Sequence, residues 1–197
     1  MKVIVLAGFL GSGKTSVLLK LAKYIVKRDG EEGRTSVAII ENEIGEVGVD
    51  DKILRSQGLA VRELFAGCAC CTGGADLLSD INTIKKEMDP KWIIVESTGV
   101  AYPLLIKENV QSYIGVDVII IGLADAQRWR RLKNAMAHLI ESQLEHADSV
   151  LLNKVDLVDE DTAEIILSEI EQINPAAKLY KTIANKTVDD SVWESVV

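Results

Sequence analysis

The chain has 197 residues, 48% of them apolar, and a formal net charge of −8. A chain of that size and apolar content can bury one ordinary core, and its acidity excludes the basic stripe on which nucleic-acid binding depends. With three prolines and no Ser/Pro/Gly-rich tract to mark a linker, residues 1–197 are expected to form a single domain.

From the N-terminus onward, short β-branched apolar runs alternate with amphipathic stretches. Strands are predicted at Lys2–Ala7, Val37–Glu41, Trp92–Glu96, Val116–Leu123, Ser149–Asn153 and Lys178–Ile183, with a weaker run at Val61–Phe65. Helical periodicity fills Thr15–Lys27, Ala75–Met88, Pro103–Asn109, Arg128–His146, Thr162–Ile173 and Asp189–Val197. Continuous apolar strands separated by helices predict an α/β fold, a mostly parallel central sheet flanked by helices on both faces. Lys2 with the apolar residues after it mimics a secretion signal, but the run is short and Gly8 interrupts it. The later run Val116–Leu123 is far too short to span a bilayer. A cytoplasmic protein is expected.

In a parallel sheet every strand ends at one edge, and ligands bind outside those ends. The unusual polar residues of this chain all follow strands. Gly8-Phe9-Leu10-Gly11-Ser12-Gly13-Lys14-Thr15 follows the first and reads GxxxxGKT, a phosphate-binding P-loop between an apolar strand and a helix. Its glycines let backbone N–H groups curl round an anion, Lys14 reaches the β/γ-phosphates, and the Thr15 hydroxyl ligates Mg²⁺. Asn153-Lys154-Val155-Asp156 follows a later strand and reads NKxD. A carboxylate accepts from both N1–H and the exocyclic amine of guanine, whereas adenine offers neither donor there, so GTP is expected rather than ATP. The expected nucleotide-binding set is Gly8, Gly11, Ser12, Gly13, Lys14, Thr15, Ser16, Asn153, Lys154 and Asp156. Lys181–Asn185 is a weaker source of base contacts.

Glu96-Ser97-Thr98-Gly99 closes another apolar strand. Glu96 can hold a Mg²⁺-bound water or orient the attacking water, and the Gly99 N–H can sense the γ-phosphate. The acidic, glycine-bearing stretch Asn42–Asp50 sits where a nucleotide-responsive loop is expected. Its Glu43, Glu46 and Asp50 are candidates for Mg²⁺, the catalytic water or a transition metal. The expected catalytic set is Lys14, Glu43, Glu96 and Gly99.

All three cysteines, Cys68, Cys70 and Cys71, fall in one short segment, which is no disulfide framework. Clustered thiolates suit one tetrahedral ion such as Zn²⁺, with Co²⁺ and Ni²⁺ as rivals, and leave a position for an outside ligand such as Glu43. Buried apolar cysteines or redox chemistry are the competing readings, the latter weakened by the strain of a Cys70–Cys71 disulfide. Arg128-Trp129-Arg130-Arg131 reads as a solvated helix start or an ion-pair site. His138 and His146 read as surface helix residues.

Together these motifs resemble the CobW-like GTPases, relatives of the UreG and HypB metal-insertion GTPases. The likeness spans nearly the whole chain: GxLGSGKT at 8–15, NExGxxxVD at 42–50, GCxCC at 67–71, ExTG at 96–99, NKxD at 153–156 and IleAsnPro at 173–175. It implies a SIMIBI-type P-loop GTPase that binds a divalent transition metal through Cys68, Cys70 or Cys71 and couples GTP hydrolysis to delivery. The implied partners are a metal-requiring client protein or a corrinoid-dependent enzyme, and a homodimer or client that completes the site. Slow intrinsic turnover is expected, because no arginine finger can be assigned. CobW-like proteins usually continue into a C-terminal domain, and this chain ends at Val197, so the GTPase domain alone is expected. Tyr102 stands where relatives commonly carry an acidic residue. A regulatory GTPase whose cysteine loop is structural is the alternative. A small-molecule kinase is disfavoured by NKxD.

Overall fold

The computed structural model describes residues 1–30, 36–41, 59–63 and 74–197. Among them the strands are β1 (Lys2–Gly8), β2 (Val37–Glu41), β3 (Leu59–Glu63), β4 (Trp92–Glu96), β5 (Asp117–Asp125), β6 (Ser149–Asn153) and β7 (Lys178–Thr182). They form one seven-stranded sheet in the order β3-β2-β4-β1-β5-β6-β7. Every pairing is parallel, as the apolar runs predict. The helices are α1 (Lys14–Asp29), α2 (Ala75–Glu87), α3 (Pro103–Ile114), α4 (Trp129–Leu144), α5 (Glu160–Ile173) and α6 (Asp190–Val196).

The two-residue period of a strand sorts the core into two layers. Val3, Val5 and Ala7 of β1 pack with Ile81 of α2, Val110 of α3, Ile140 of α4 and Ile166 of α5. Ile4 and Leu6, on the opposite face, pack with Val17, Leu18, Leu21 and Ile25 of α1 and Trp193 of α6. Burial on both faces is why β1, β4 and β6 read as unbroken apolar runs, with no alternation. Among the described residues no helix is long and apolar enough to cross a membrane.

Most element limits shift by one to four residues from expectation, and three differences stand out. The weak strand lies at Leu59–Glu63, because its partner β2 sets the register, Val37 against Leu59 and Glu41 against Glu63. Helix α3 runs on to Ile114, where Gly115 at φ 70° takes the left-handed turn that ends it. Helix α4 is broken at Met136, at φ −146° and ψ 44°, within what periodicity reads as one continuous helix. The two ends of this helix meet the end of β1 and the loop after it, Gln143 at Gly8 and the capping Arg128 at Leu10.

Strand β1 lies centrally, with β4 and β5 as its neighbours. The chain leaves β1 for β2 on one side and later crosses from β4 to β5 on the other. The end of β1 is therefore a topological switch point, where open α/β sheets bind ligands.

Candidate nucleotide-binding site

Buried polar side chains gather at the carboxyl edge of the sheet. Ser12, Lys14, Glu96, Ser97, Asp125, Gln143 and Asn153 are all buried, and each stands at or beside a strand end or packs against the loop after β1. Burying such groups costs free energy unless they are paired, so their partners define what the edge is built for.

Loop 8–13 leaves β1 and enters α1 at Lys14, so the first turn of α1 presents N–H groups at the loop. The Lys14 ammonium donates to the Gly8 carbonyl at 3.0 Å, holding the side chain along the loop. Gly13 has φ 100°, and a Cβ there would meet Asn153 Nδ2 at 2.4 Å. Only glycine satisfies both conditions. Gly13→Ala is expected to cost about 1–3 kcal/mol of strain, which is roughly tenfold or more in GDP affinity. Fluorescent-GDP titration beside a melting curve measures both effects, and wild-type affinity in this variant would show that the tight turn is dispensable.

Asn153 ties three pieces together. Its Nδ2 donates to Ser12 O at 2.8 Å, and its Oδ1 accepts from the Ala184 N–H at 2.8 Å. Lys154, in the left-handed region at φ 63°, turns its ammonium back onto Gly11 O at 2.7 Å and Asp125 Oδ2 at 2.8 Å. Asp156 lies in the short 3-10 turn Val155–Leu157 and pairs with Lys186 at 3.3 Å. The motif and the loop are thus one unit, and the backbone of segment 182–186 closes its far side. Lys181, by contrast, pairs with Glu160 and Glu164 of α5, while Thr182 and Ala184 face Asn153.

On the other side of β1, Ser97 Oγ donates to Leu6 O at 2.9 Å and pins the end of β4 to β1. Thr15 Oγ1 donates to Glu96 Oε1 at 3.1 Å, so a hydroxyl and a carboxylate stand side by side at the start of α1. Hard oxygen donors of this kind fit Mg²⁺, which takes one or two protein oxygens and keeps several waters. Gly99 approaches the loop so closely that a Cβ would meet Leu10 N at 2.6 Å. Ser12 Oγ and Thr98 Oγ1 are buried with no hydrogen bond among the described residues, donors that suit a polyanion.

Three further groups, to which the sequence assigns no role, join this edge. Asp125 ends β5 with its carboxylate fully buried between Arg128 Nε and Lys154 Nζ, both at 2.8 Å. Burial pushes its carboxyl up, and the hydrogen bonds from Lys154 and Arg128 outweigh this, holding it below the usual aspartate value. Its stabilisation is therefore complete above the unfolded aspartate value and is lost as pH falls through the lower folded one. Gln143 accepts from the Gly8 N–H at 2.6 Å, and its amide donates to Ala101 O, joining the start of the loop to the segment after Gly99. Arg128 is the ion-pair member of the basic cluster, and its polar strand-end partner was the only signal for it in the sequence.

Glu43, Cys68, Cys70 and Cys71 lie outside the described residues, as do Glu46 and Asp50. Glu41 and Glu63, which precede their segments, end neighbouring strands at the same edge.

The profile of the CobW/HypB/UreG nucleotide-binding domain matches residues 2–181. The chain belongs to that family. Zinc chaperone YjiA of Escherichia coli (strain K12) is 32% identical over 200 residues, covering 95% of this chain and 58% of that protein. Zinc-regulated GTPase metalloprotein activator 1 of Dictyostelium discoideum is 31% identical over 222 residues, 91% of this chain and 45% of that protein. The chain thus spans about half the length of these curated relatives. The crystal structure of Zn(II)-bound YjiA GTPase from E. coli superposes with a TM-score of 0.66 at 26% identity, covering 98% of this chain and 60% of the other. The P-loop fold and the family expected from the motifs are therefore both shown.

Proposed function

We propose that this chain binds and slowly hydrolyses GTP and couples that cycle to binding and delivery of a divalent transition metal, Zn²⁺ first and Co²⁺ or Ni²⁺ second. The observation that carries the nucleotide half is the junction of Asn153 and Lys154 with the carbonyls of Ser12 and Gly11. A base read by Asp156 then stands at a set distance from phosphates held in loop 8–15. In this reading Gly8, Gly11, Ser12, Gly13, Lys14, Thr15 and Ser16 hold the phosphates, and Asn153, Lys154 and Asp156 hold the guanine. Thr15 and, through a water, Glu96 would hold Mg²⁺, which would supply charge neutralisation for phosphoryl transfer. Lys14 moves from the Gly8 carbonyl onto those phosphates. Gly99, already against Leu10, offers its N–H where the γ-phosphate ends. Glu96 or Glu43 orients the water whose oxygen attacks the γ-phosphorus, giving GDP and phosphate.

The metal half rests on chemistry and kinship. Cys68, Cys70 and Cys71 with Glu43 form a thiolate–carboxylate donor set suited to Zn²⁺, and relatives are named zinc chaperones. Strands pair at about 4.8 Å, and the segments holding these residues leave β2 and β3, on the β4 side of β1. Gain and loss of the γ-phosphate can then make and break the metal site. Exposed Leu10, Val100 and Tyr102 around Gly99 offer an apolar contact for a second copy or a metal-requiring client.

Linkage requires that GTP and metal raise each other's affinity by one factor, commonly about 5–150-fold. Zn²⁺ titrations with GDP and with a non-hydrolysable GTP analogue are expected to differ by at least about tenfold. The combined Cys68→Ser, Cys70→Ser and Cys71→Ser variant is expected to lose Zn²⁺ binding while keeping GDP. Equal Zn²⁺ affinities in both nucleotide states would refute the coupling. Hydrolysis that answers to a partner protein, and not to metal, would favour a regulatory GTPase with a structural cysteine loop.

A further inference from the structure

Three successive carbonyls of the phosphate loop are held from outside by side chains of other elements. Leu10 O accepts from Arg128 Nη2 at 2.6 Å, Gly11 O from Lys154 Nζ at 2.7 Å and Ser12 O from Asn153 Nδ2 at 2.8 Å. A peptide is planar and trans, so a carbonyl fixed outward sets the N–H of the next residue on the opposite side. Holding Leu10 O sets Gly11 N–H, and holding Ser12 O sets Gly13 N–H. Asn153 and Lys154 belong to the guanine motif. Arg128 and its anchor do not.

The anchor is Asp125. One oxygen, Oδ2, takes Arg128 Nε and Lys154 Nζ, while Oδ1 accepts the Arg128 N–H at 3.1 Å. The carboxylate is fully buried at the end of β5, so it cannot drift, and it orients both cations towards the loop. The guanidinium spans the gap because its donors form a rigid fork, one tine on Asp125 and another on Leu10 O. It also lies directly over Gly11, where a Cβ would stand 3.0 Å from Nη2. Two cations share one carboxylate here, which leaves positive charge beside the loop. Leu10 O, hydrogen-bonded to the Arg128 cation, polarises its peptide and makes Gly11 N–H a better donor, while the Ser12 N–H after Gly11 O is spent within the loop on Phe9 O at 3.0 Å.

We infer that Asp125 and Arg128 are positioning residues for the nucleotide phosphates: they brace the loop from outside so that its N–H groups face inward before any ligand arrives. This deepens, and rests on, the reading of the chain as a GTP-binding protein. The brace acts on the phosphate cradle and not on the base, and that separates it from a guanine-reading role. Because Arg128 is partly exposed and sits at a helix start, its removal leaves the core intact.

The experiment measures GDP and IDP dissociation constants and the ligand-free melting temperature for wild type, Arg128→Ala, Arg128→Lys, Asp125→Asn and the double variant Asp125→Asn/Arg128→Ala. Inosine lacks the exocyclic amine of guanine, so the IDP-to-GDP ratio reports base reading alone. Arg128→Ala is expected to weaken both nucleotides by roughly ten- to a hundredfold, the worth of a hydrogen bond to a charged group, with their ratio unchanged. Arg128→Lys is expected to fall between, since an ammonium has no fork with which to hold both partners. The double variant is expected to lose little more than Asp125→Asn, because one residue acts through the other. GDP affinity within about twofold of wild type in Arg128→Ala overturns the inference, as does a changed IDP-to-GDP ratio or an additive double variant. A wild-type chain that binds neither nucleotide would refute the GTP reading itself, a separate result.

Discussion

Replacing Asp156 by asparagine is expected to exchange guanine for xanthine nucleotides. Guanine presents N1–H and an exocyclic amine, two donors that one carboxylate accepts together. An asparagine amide accepts one of them and opposes the other with its own N–H groups, whereas xanthine has a carbonyl in place of that amine. A polar group left unmatched in a recognition site commonly costs about 10⁴–10⁵ in discrimination. The carboxylate here is 21% exposed and already paired with Lys186, so a loss of about 10³ in GDP affinity is the expected scale. Calorimetric titration with GDP and XDP checks the exchange. GDP affinity equal to wild type would place the base elsewhere on the sheet edge. The fold is expected to be untouched, because Asp156 makes no contact with the core and its turn is held by backbone bonds, Leu157 N–H to Lys154 O at 3.0 Å.

Lys14→Ala is expected to abolish turnover while leaving the ligand-free protein as stable as wild type, or more so. The ammonium is buried, 3% exposed, among loop carbonyls. A buried charge contributes little net stability, because desolvation offsets what its interactions return. In phosphoryl transfer the balance reverses. Charge builds on the γ-phosphoryl oxygens in a site that excludes water, where a fixed cation has its largest effect. Removal of one such preorganised group commonly costs about 10²–10³ in rate, so hydrolysis is expected to fall by at least that factor. Phosphate-release assays paired with thermal melting make the test. A melting temperature that collapses with the activity would make Lys14 a structural residue.

Much of this site is legible in the sequence because its chemistry is local. Gly8–Thr15 and Asn153–Asp156 are short segments in which the residue types, their spacing and the preceding apolar strand all point one way. Strands β1, β4 and β6 are legible for a similar reason, since burial on both faces demands an unbroken apolar run. The weak strand begins two residues before the predicted Val61, because its pairing with β2 fixes its start and local pattern cannot contain that partner.

Arg128 and Gln143 show the other kind of residue. Each looks like ordinary helix surface in the chain, one in a basic cluster and one in a polar helical face. Each is drawn to the phosphate loop from a helix whose break at Met136 periodicity does not reveal. Asp125 was visible as a polar residue after a strand, yet its role depends on two cations that arrive from different elements.

The amino-acid sequence by itself determined the alternating α/β order, the GxxxxGKT and NKxD segments and the family, because each rests on patterns within a few residues. Only the tertiary structure decided the strand order that centres β1, and the side chains that hold Leu10, Gly11 and Ser12 from outside. The physical reason is sequence separation. Those hydrogen bonds join residues more than a hundred positions apart, and only the closed sheet brings such donors within 3 Å of the loop.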